Sequence, residues 1–192
     1  THIRRYCIEQ LNAIQLAEKY LEEDGAVNGN IVSAAKKGFS AGQIALAADI
    51  SREEVLRRLE EEDYSTGYRE VDGCAGEFPS GSGYYYGVAG VKDDPYERHS
   101  GGIAVIGSGA IRIAQGVEFD YCCVKAVEAL RRRGIRAIMM NVNPETVSTD
   151  HDISDALYLE PLTVDDALPV LKREEAAGVF ACFGGQTSLR LG

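Results

Sequence analysis

A glycine turn, Gly107-Ser108-Gly109, follows a short apolar run and precedes a helical pattern. A turn so placed can offer backbone N–H groups to a phosphate, as a dinucleotide fingerprint does. The rest of that fingerprint is missing. Its sixth position, where Gly or Ala lets the helix pack tightly, is Arg112, and the helix starts only after a further loop through Gln115 and Gly116. After the next strand, where an acid would hold a ribose, stand Asn141 and Asn143, with Glu145 beyond a proline. No G-x-x-x-x-G-K-[ST] occurs, so there is no Walker loop. What remains is polar chemistry on three loops, 107–118, 141–152 and 184–187: Arg112, Gln115, Glu118, Asn141, Asn143, Thr146, Ser148, Thr149 and Gln186. Each Asn, Ser and Thr can equally serve turns and caps. Arg112 with Glu118 either crosslinks the loop or faces a polar cavity.

The elements that position these residues follow from periodicity. Residues 101–192 alternate strand and helix: strands at 103–106, 136–141, 156–159 and 178–183, helices at about 118–133 and 163–174, then the loop GGQT. Thr163 caps the second helix and Pro169 should kink it. Repeated βα units require right-handed crossovers and a parallel sheet covered on both faces, which suits the nearly all-apolar strands. All three polar loops follow strands, so they gather at the carboxyl edge of the sheet, where open α/β folds bind ligands. The residues alone lead to a polar cavity at that edge and no further.

Residues 1–63 read as a bundle of short helices. Ile3, Tyr6, Cys7, Leu11, Ile14, Ala17 and Leu21 form one stripe ended by Gly25; a second helix runs from about Ile31 to Lys37. Ser40 with Gln43 and Ser51 with Glu54 predict capping boxes for two more. The last pair resembles a helix-turn-helix, but its second helix opens Arg52-Glu53-Glu54, and acids at a base-reading end argue against DNA. Residues 64–100, rich in Gly, Ser and Tyr, read as an extended connector pinned by Tyr84, Tyr85 and Tyr86.

Composition narrows the function classes. A net charge of −10 over 192 residues disfavours nucleic acid. The basic cluster Arg131, Arg132, Arg133 and Arg136 falls at a helix end, where cations suit the macrodipole. Apolar runs are too short for a membrane span, and no secretory signal is visible. The five cysteines, odd in number and without C-x-x-C, predict a reducing, cytoplasmic setting, with Cys122 and Cys123 as small core residues. His2, His99 and His151 lack metal-ligand spacing, so no metal is expected. The start at Thr1 without a methionine suggests an excerpt or a processed chain.

The strings GSGAIRIAQGVEFDYCCVKAVEAL, NVNPETVSTDHDISDALYLEPLT and GVFACFGGQTSLRL closely resemble the large chain of carbamoyl-phosphate synthetase, at the pre-ATP-grasp opening of its second half. KKGFSAGQIALAADISREEV and YREVDGCAGEF…YYY resemble the helical oligomerisation domain before it. The resemblance implies a small all-helical domain (1–63), the connector (64–100) and a truncated Rossmann-like pre-ATP-grasp domain (101–192). It implies a ligase that uses MgATP, bicarbonate and glutamine-derived ammonia and feeds arginine and pyrimidine synthesis. Carried over, Arg112, Gln115, Gly116 and Glu118 line the end of a carbamate tunnel, with Asn143, Thr146 and Gln186 as further lining candidates and no catalytic residue. The implied partners are the ATP-grasp modules of the large chain, a glutaminase and further copies through the helical domain. The family's ATP-grasp module lies beyond Gly192, so this segment is expected to bind no cofactor and to be inactive alone. Ala110 and Ala114 stand where the family usually has Pro and Gly. The rival readings are a non-catalytic scaffolding module and a small-nucleotide binder.

Overall fold

The computed structural model describes residues 3–25, 27–79, 81–94, 99–110 and 116–191. Arg112, Ala114 and Gln115 therefore lie outside the described residues. The chain forms two compact units, Thr1–Gly67 with Val88–Lys92, and Tyr68–Gly87 with Asp93–Gly192.

The first unit holds α1 (Arg5–Asp24), α2 (Asn28–Lys36), α3 (Ala41–Ala47) and α4 (Arg52–Glu61). Caps set the helix starts. Ser40 Oγ accepts the Gln43 N–H at 3.2 Å, and the Ser40 N–H donates to Gln43 Oε1 at 2.9 Å, so the expected box closes. At α4 only half of the expected box forms. Ser51 Oγ accepts the Glu54 N–H at 3.1 Å, but the Glu54 carboxylate turns to Arg57 and Arg58, which hold its pKa down to about 2. Leu21, Ile31, Ile44 and Val55 are fully buried in one cluster, each worth about 1.5–3 kcal/mol. The α1 stripe is buried only at Ala17 and Leu21, while Ile3, Tyr6, Leu11 and Ile14 stay exposed.

The second unit is built on a sheet of order β1-β2-β5-β4-β3-β6. Its strands are β1 (Thr66–Glu70), β2 (Tyr84–Ala89), β3 (Ile103–Ile106), β4 (Ala137–Asn141), β5 (Ala156–Leu159) and β6 (Gly178–Phe180). The β2–β5, β5–β4, β4–β3 and β3–β6 pairings are all parallel. Bonds from Gly90 N–H to Ser65 O and from Val71 N–H to Tyr84 O make β1 antiparallel to β2. The α+α/β expectation holds, with two differences in the sheet. Residues 64–100 contribute β1 and β2, which composition hid because their partners lie far away in sequence. The fourth strand stops at Phe180, and Val179 and Phe180 are exposed, because β6 is an edge strand with no burial on both faces.

Period-two alternation sorts the strand side chains onto two faces. Val105, Met139 and Leu157 pack with Cys123, Val127 and Leu130 of α5 (Val117–Arg131). Ile106, Ile138, Met140 and Tyr158 pack with Ala167 and Val170 of α6 (Val164–Arg173) on the other face. Thr163 caps α6 as expected, accepting the Asp166 N–H at 3.2 Å, and α6 continues through Pro169. Tyr84 and Tyr85 pack on opposite faces, while Tyr86 is exposed. Cys123 is core, but its neighbour Cys122 is exposed, since a helix turns adjacent side chains about 100° apart.

The basic cluster is spent on the fold. Arg131 pairs with Asp155 at 3.2 Å, Arg132 with Glu128 at 2.8 Å, and Arg133 donates to the Ala129 carbonyl at 3.1 Å. Arg136 pairs with Glu174, a fully buried acid at the end of α6 that also accepts the Tyr158 hydroxyl at 2.5 Å.

Glu160, just after β5, is a second buried acid; its carboxylate accepts the Gly87 N–H. Burial, helped by nearby Asp166, pushes its pKa up to about 7 although the Gly87 bond works the other way. A carboxyl raised on folding stabilises the fold while protonated. That contribution is complete below the ordinary value near 4.5 and is lost as pH climbs to about 7. Glu160→Gln, which cannot ionise, is expected to gain on the parent chain across that window, by up to roughly 3 kcal/mol. Paired urea titrations at pH 4.5, 6 and 8 measure the difference; a gap that does not widen with pH rejects this account.

Candidate functional site

The chain leaves β3 toward α5 and β4 on one side, while β6 pairs with β3 on the other. Strand order therefore reverses at β3, and such a switch point is where ligands bind in open α/β sheets. Main chain meets main chain there. A Cβ built on Gly184 would fall 2.1 Å from the Gly107 carbonyl oxygen, so only glycine allows this approach. A Cβ on Gly107 would fall 2.5 Å from Asn141 Cγ. The expected GGQT loop is instead the start of a short helix, α7 (Gly185–Leu189).

Asn141, fully buried at the end of β4, knots the rim together. Its Oδ1 accepts the N–H of Gly109 at 3.1 Å and of Val142 at 2.9 Å, and its Nδ2 donates to Ser148 Oγ at 3.2 Å. The Gly109 N–H, which a dinucleotide fingerprint would offer to a pyrophosphate, is thus already used. Ser148 N–H in turn donates to Asp120 Oδ2 at 2.9 Å. Thr149 Oγ1 lies within donating reach of the carbonyls of Asn143 and Thr146, at 3.0 and 2.8 Å, and shares its one proton between them, closing the loop after β4 around the 3-10 turn Val147–Thr149.

The predicted site residues divide in place and role. Gly116 is buried, with φ 73°, and precedes the first residue of α5; this left-handed conformation is open to glycine and strained for other residues. Glu118 is exposed on the first turn of α5. Asn143 is half-buried and its Oδ1 accepts the Glu145 N–H at 3.0 Å, a turn bond. Thr146 is half-buried and Gln186 exposed on α7. Cys123, beside them, donates to the Ile106 carbonyl at 3.7 Å, and burial pushes its thiol up to about 12, which leaves it protonated and inert. Among the described residues no group of three or more His, Cys, Asp or Glu could hold a metal, and no helix is long and apolar enough to cross a membrane.

The sequence reading missed Asp120, which is only 3% exposed. A signal was present: residue 120 shares the spacing of Cys123, Val124 and Val127, the buried stripe of α5, so an acid stands on an apolar face.

A predominantly parallel sheet with helices on both faces, and a rim gathered at its switch point, define a Rossmann-like domain. Residues 99–192 match the family described as carbamoyl phosphate synthase preATP-grasp domain. The similarity extends over the whole chain, which is 41% identical over 191 residues to the carbamoyl phosphate synthase large chain of Thermoanaerobacter pseudethanolicus. It is 40% identical over 192 residues to that of Methanothermobacter thermautotrophicus and 39% over 194 to that of Vibrio cholerae. The chain belongs to the carbamoyl phosphate synthase large-chain family, as its motifs indicated. It spans 18% of the length of these relatives.

Proposed function

We propose that this segment serves the carbamate-phosphorylating half of an ATP-dependent carbamoyl-phosphate synthetase, in the cytoplasmic synthesis of arginine and pyrimidines. The reading rests on the similarity to large chains across every part of the sequence. Phosphoryl transfer from MgATP belongs to ATP-grasp modules elsewhere in the enzyme, so the segment contributes scaffold, subunit contacts and the wall of a carbamate passage. Residues 1–63 act as a self-association domain, 64–100 as its connection and 101–192 as the pre-ATP-grasp domain. Ammonia comes from a glutaminase partner. Arg112, Gln115, Gly116, Glu118, Asn143, Thr146 and Gln186 line the passage. Gly116 supports this reading best, being buried, without a side chain and held in a conformation that disfavours any other residue.

The test is Gly116→Phe in the complete synthetase. Carbamoyl phosphate output is expected to fall at least about tenfold while bicarbonate-dependent ATP hydrolysis persists. Gly116→Ala carries the same backbone strain without the bulk and separates obstruction from distortion. Unchanged output from the phenylalanine variant would remove the tunnel role.

A further inference from the structure

We infer that Asp120 is a positioning residue for the rim, acting through a single oxygen. The inference rests on the passage reading above. Asp120 is 3% exposed, and its two carboxylate oxygens differ in use. Oδ2 accepts the Ser148 N–H at 2.9 Å, while Oδ1 is buried with no hydrogen-bond partner among the described residues. The used oxygen heads a relay through three separate pieces of chain. Asp120 on α5 holds Ser148 of the loop after β4; Ser148 Oγ accepts from Asn141 at 3.2 Å; Asn141 accepts the Gly109 N–H of the glycine turn at 3.1 Å. Gly116, the bare lining position, sits one turn before Asp120 and accepts the Asp120 N–H at 3.0 Å. Releasing Asp120 therefore frees the loop after β4 from the helix that carries Gly116 and Glu118.

A favourable helix dipole does not account for the placement. Glu118, exposed on the same first turn, takes that benefit without burial. The idle Oδ1 adds a second consequence. A buried carboxylate with one oxygen unpaired bears a desolvation cost that a neutral amide of the same shape avoids. The hydrogen bond is what the rim needs, and the charge is dispensable.

The experiment compares Asp120→Ala, Asp120→Asn and Gly116→Phe in the complete synthetase, reading ATP hydrolysed per carbamoyl phosphate formed. Asp120→Ala is expected to raise that ratio several-fold, roughly tenfold if the rim moves by an ångström. Asp120→Asn keeps an acceptor for Ser148 and is expected to hold the parental ratio with an equal or higher urea midpoint. Mere loss of stability would lower both reactions together and leave the ratio unchanged. An unchanged ratio in Asp120→Ala overturns the inference, as does an asparagine variant as uncoupled as the alanine one. If Gly116→Phe also leaves the ratio unchanged, the passage reading fails with it; if only Gly116→Phe uncouples, the passage stands and Asp120 alone is misassigned. Should Asp120→Ala not accumulate as folded enzyme, Ser148→Ala breaks the relay one bond further along and is judged by the same ratio.

Discussion

Glu174→Ala is expected to destabilise this chain by about 3–5 kcal/mol, read as a fall in the urea midpoint. The side chain of Glu174 is wholly buried, and it takes both the Arg136 guanidinium and the Tyr158 hydroxyl. Arg136 is itself only 18% exposed. Truncating the acid strips a nearly buried cation of its carboxylate and removes the acceptor of a hydroxyl on β5. Glu174→Gln retains an acceptor for Tyr158 and gives up the charge, so its loss should be smaller. A replacement of Glu174 and Arg136 together by apolar residues should cost less than Glu174→Ala alone, because no buried charge is then left without its counter-ion. Equal effects for the alanine and glutamine variants would show that the hydroxyl bond contributes nothing beyond the ion pair.

Gly184→Ala is expected to be damaging as well, for a steric reason. The backbone of Gly184 has φ −81°, which alanine tolerates. The added Cβ, however, would lie 2.1 Å from the Gly107 carbonyl oxygen, 2.4 Å from its carbon and 2.7 Å from the Ile106 oxygen. No side chain can swing aside, so two main-chain segments must part. Overpacking of this kind costs about 1–3 kcal/mol and occasionally more. The β3 turn also carries the Gly109 N–H bonded to Asn141. If the rim lines the proposed passage, the variant in the complete synthetase should lose coupling between ATP hydrolysis and product as well as stability. A midpoint within about 0.5 kcal/mol of the parent would contradict this packing.

Much of this was readable from local signals. Caps are short-range: Ser40 with Gln43 and Thr163 with Asp166 form within three residues, so sequence places them well. β3, β4 and β5 announce themselves as apolar runs because both faces are covered. β1 and β2 do not, since their partners are distant; Tyr68 N–H, for instance, is held by Asp93 at 2.8 Å, 25 residues away. The rim loops were placed at the correct edge, but their internal order was not legible. Asn141 looked like any turn asparagine, and nothing in the order of residues reveals that it binds Gly109 and Ser148 at once. The meeting of Gly107 with Gly184 is a product of topology, visible only once β6 is set beside β3.

That crossing has a bearing on how such a segment can change over time. The β3 and β6 turns touch through main-chain atoms, so while residue 184 is glycine their spacing is fixed by backbone contact and not by the size of any side chain. On the passage reading, a change of charge at an exposed neighbour such as Gln186 alters what the wall attracts, while the gauge set by the two backbones stays the same.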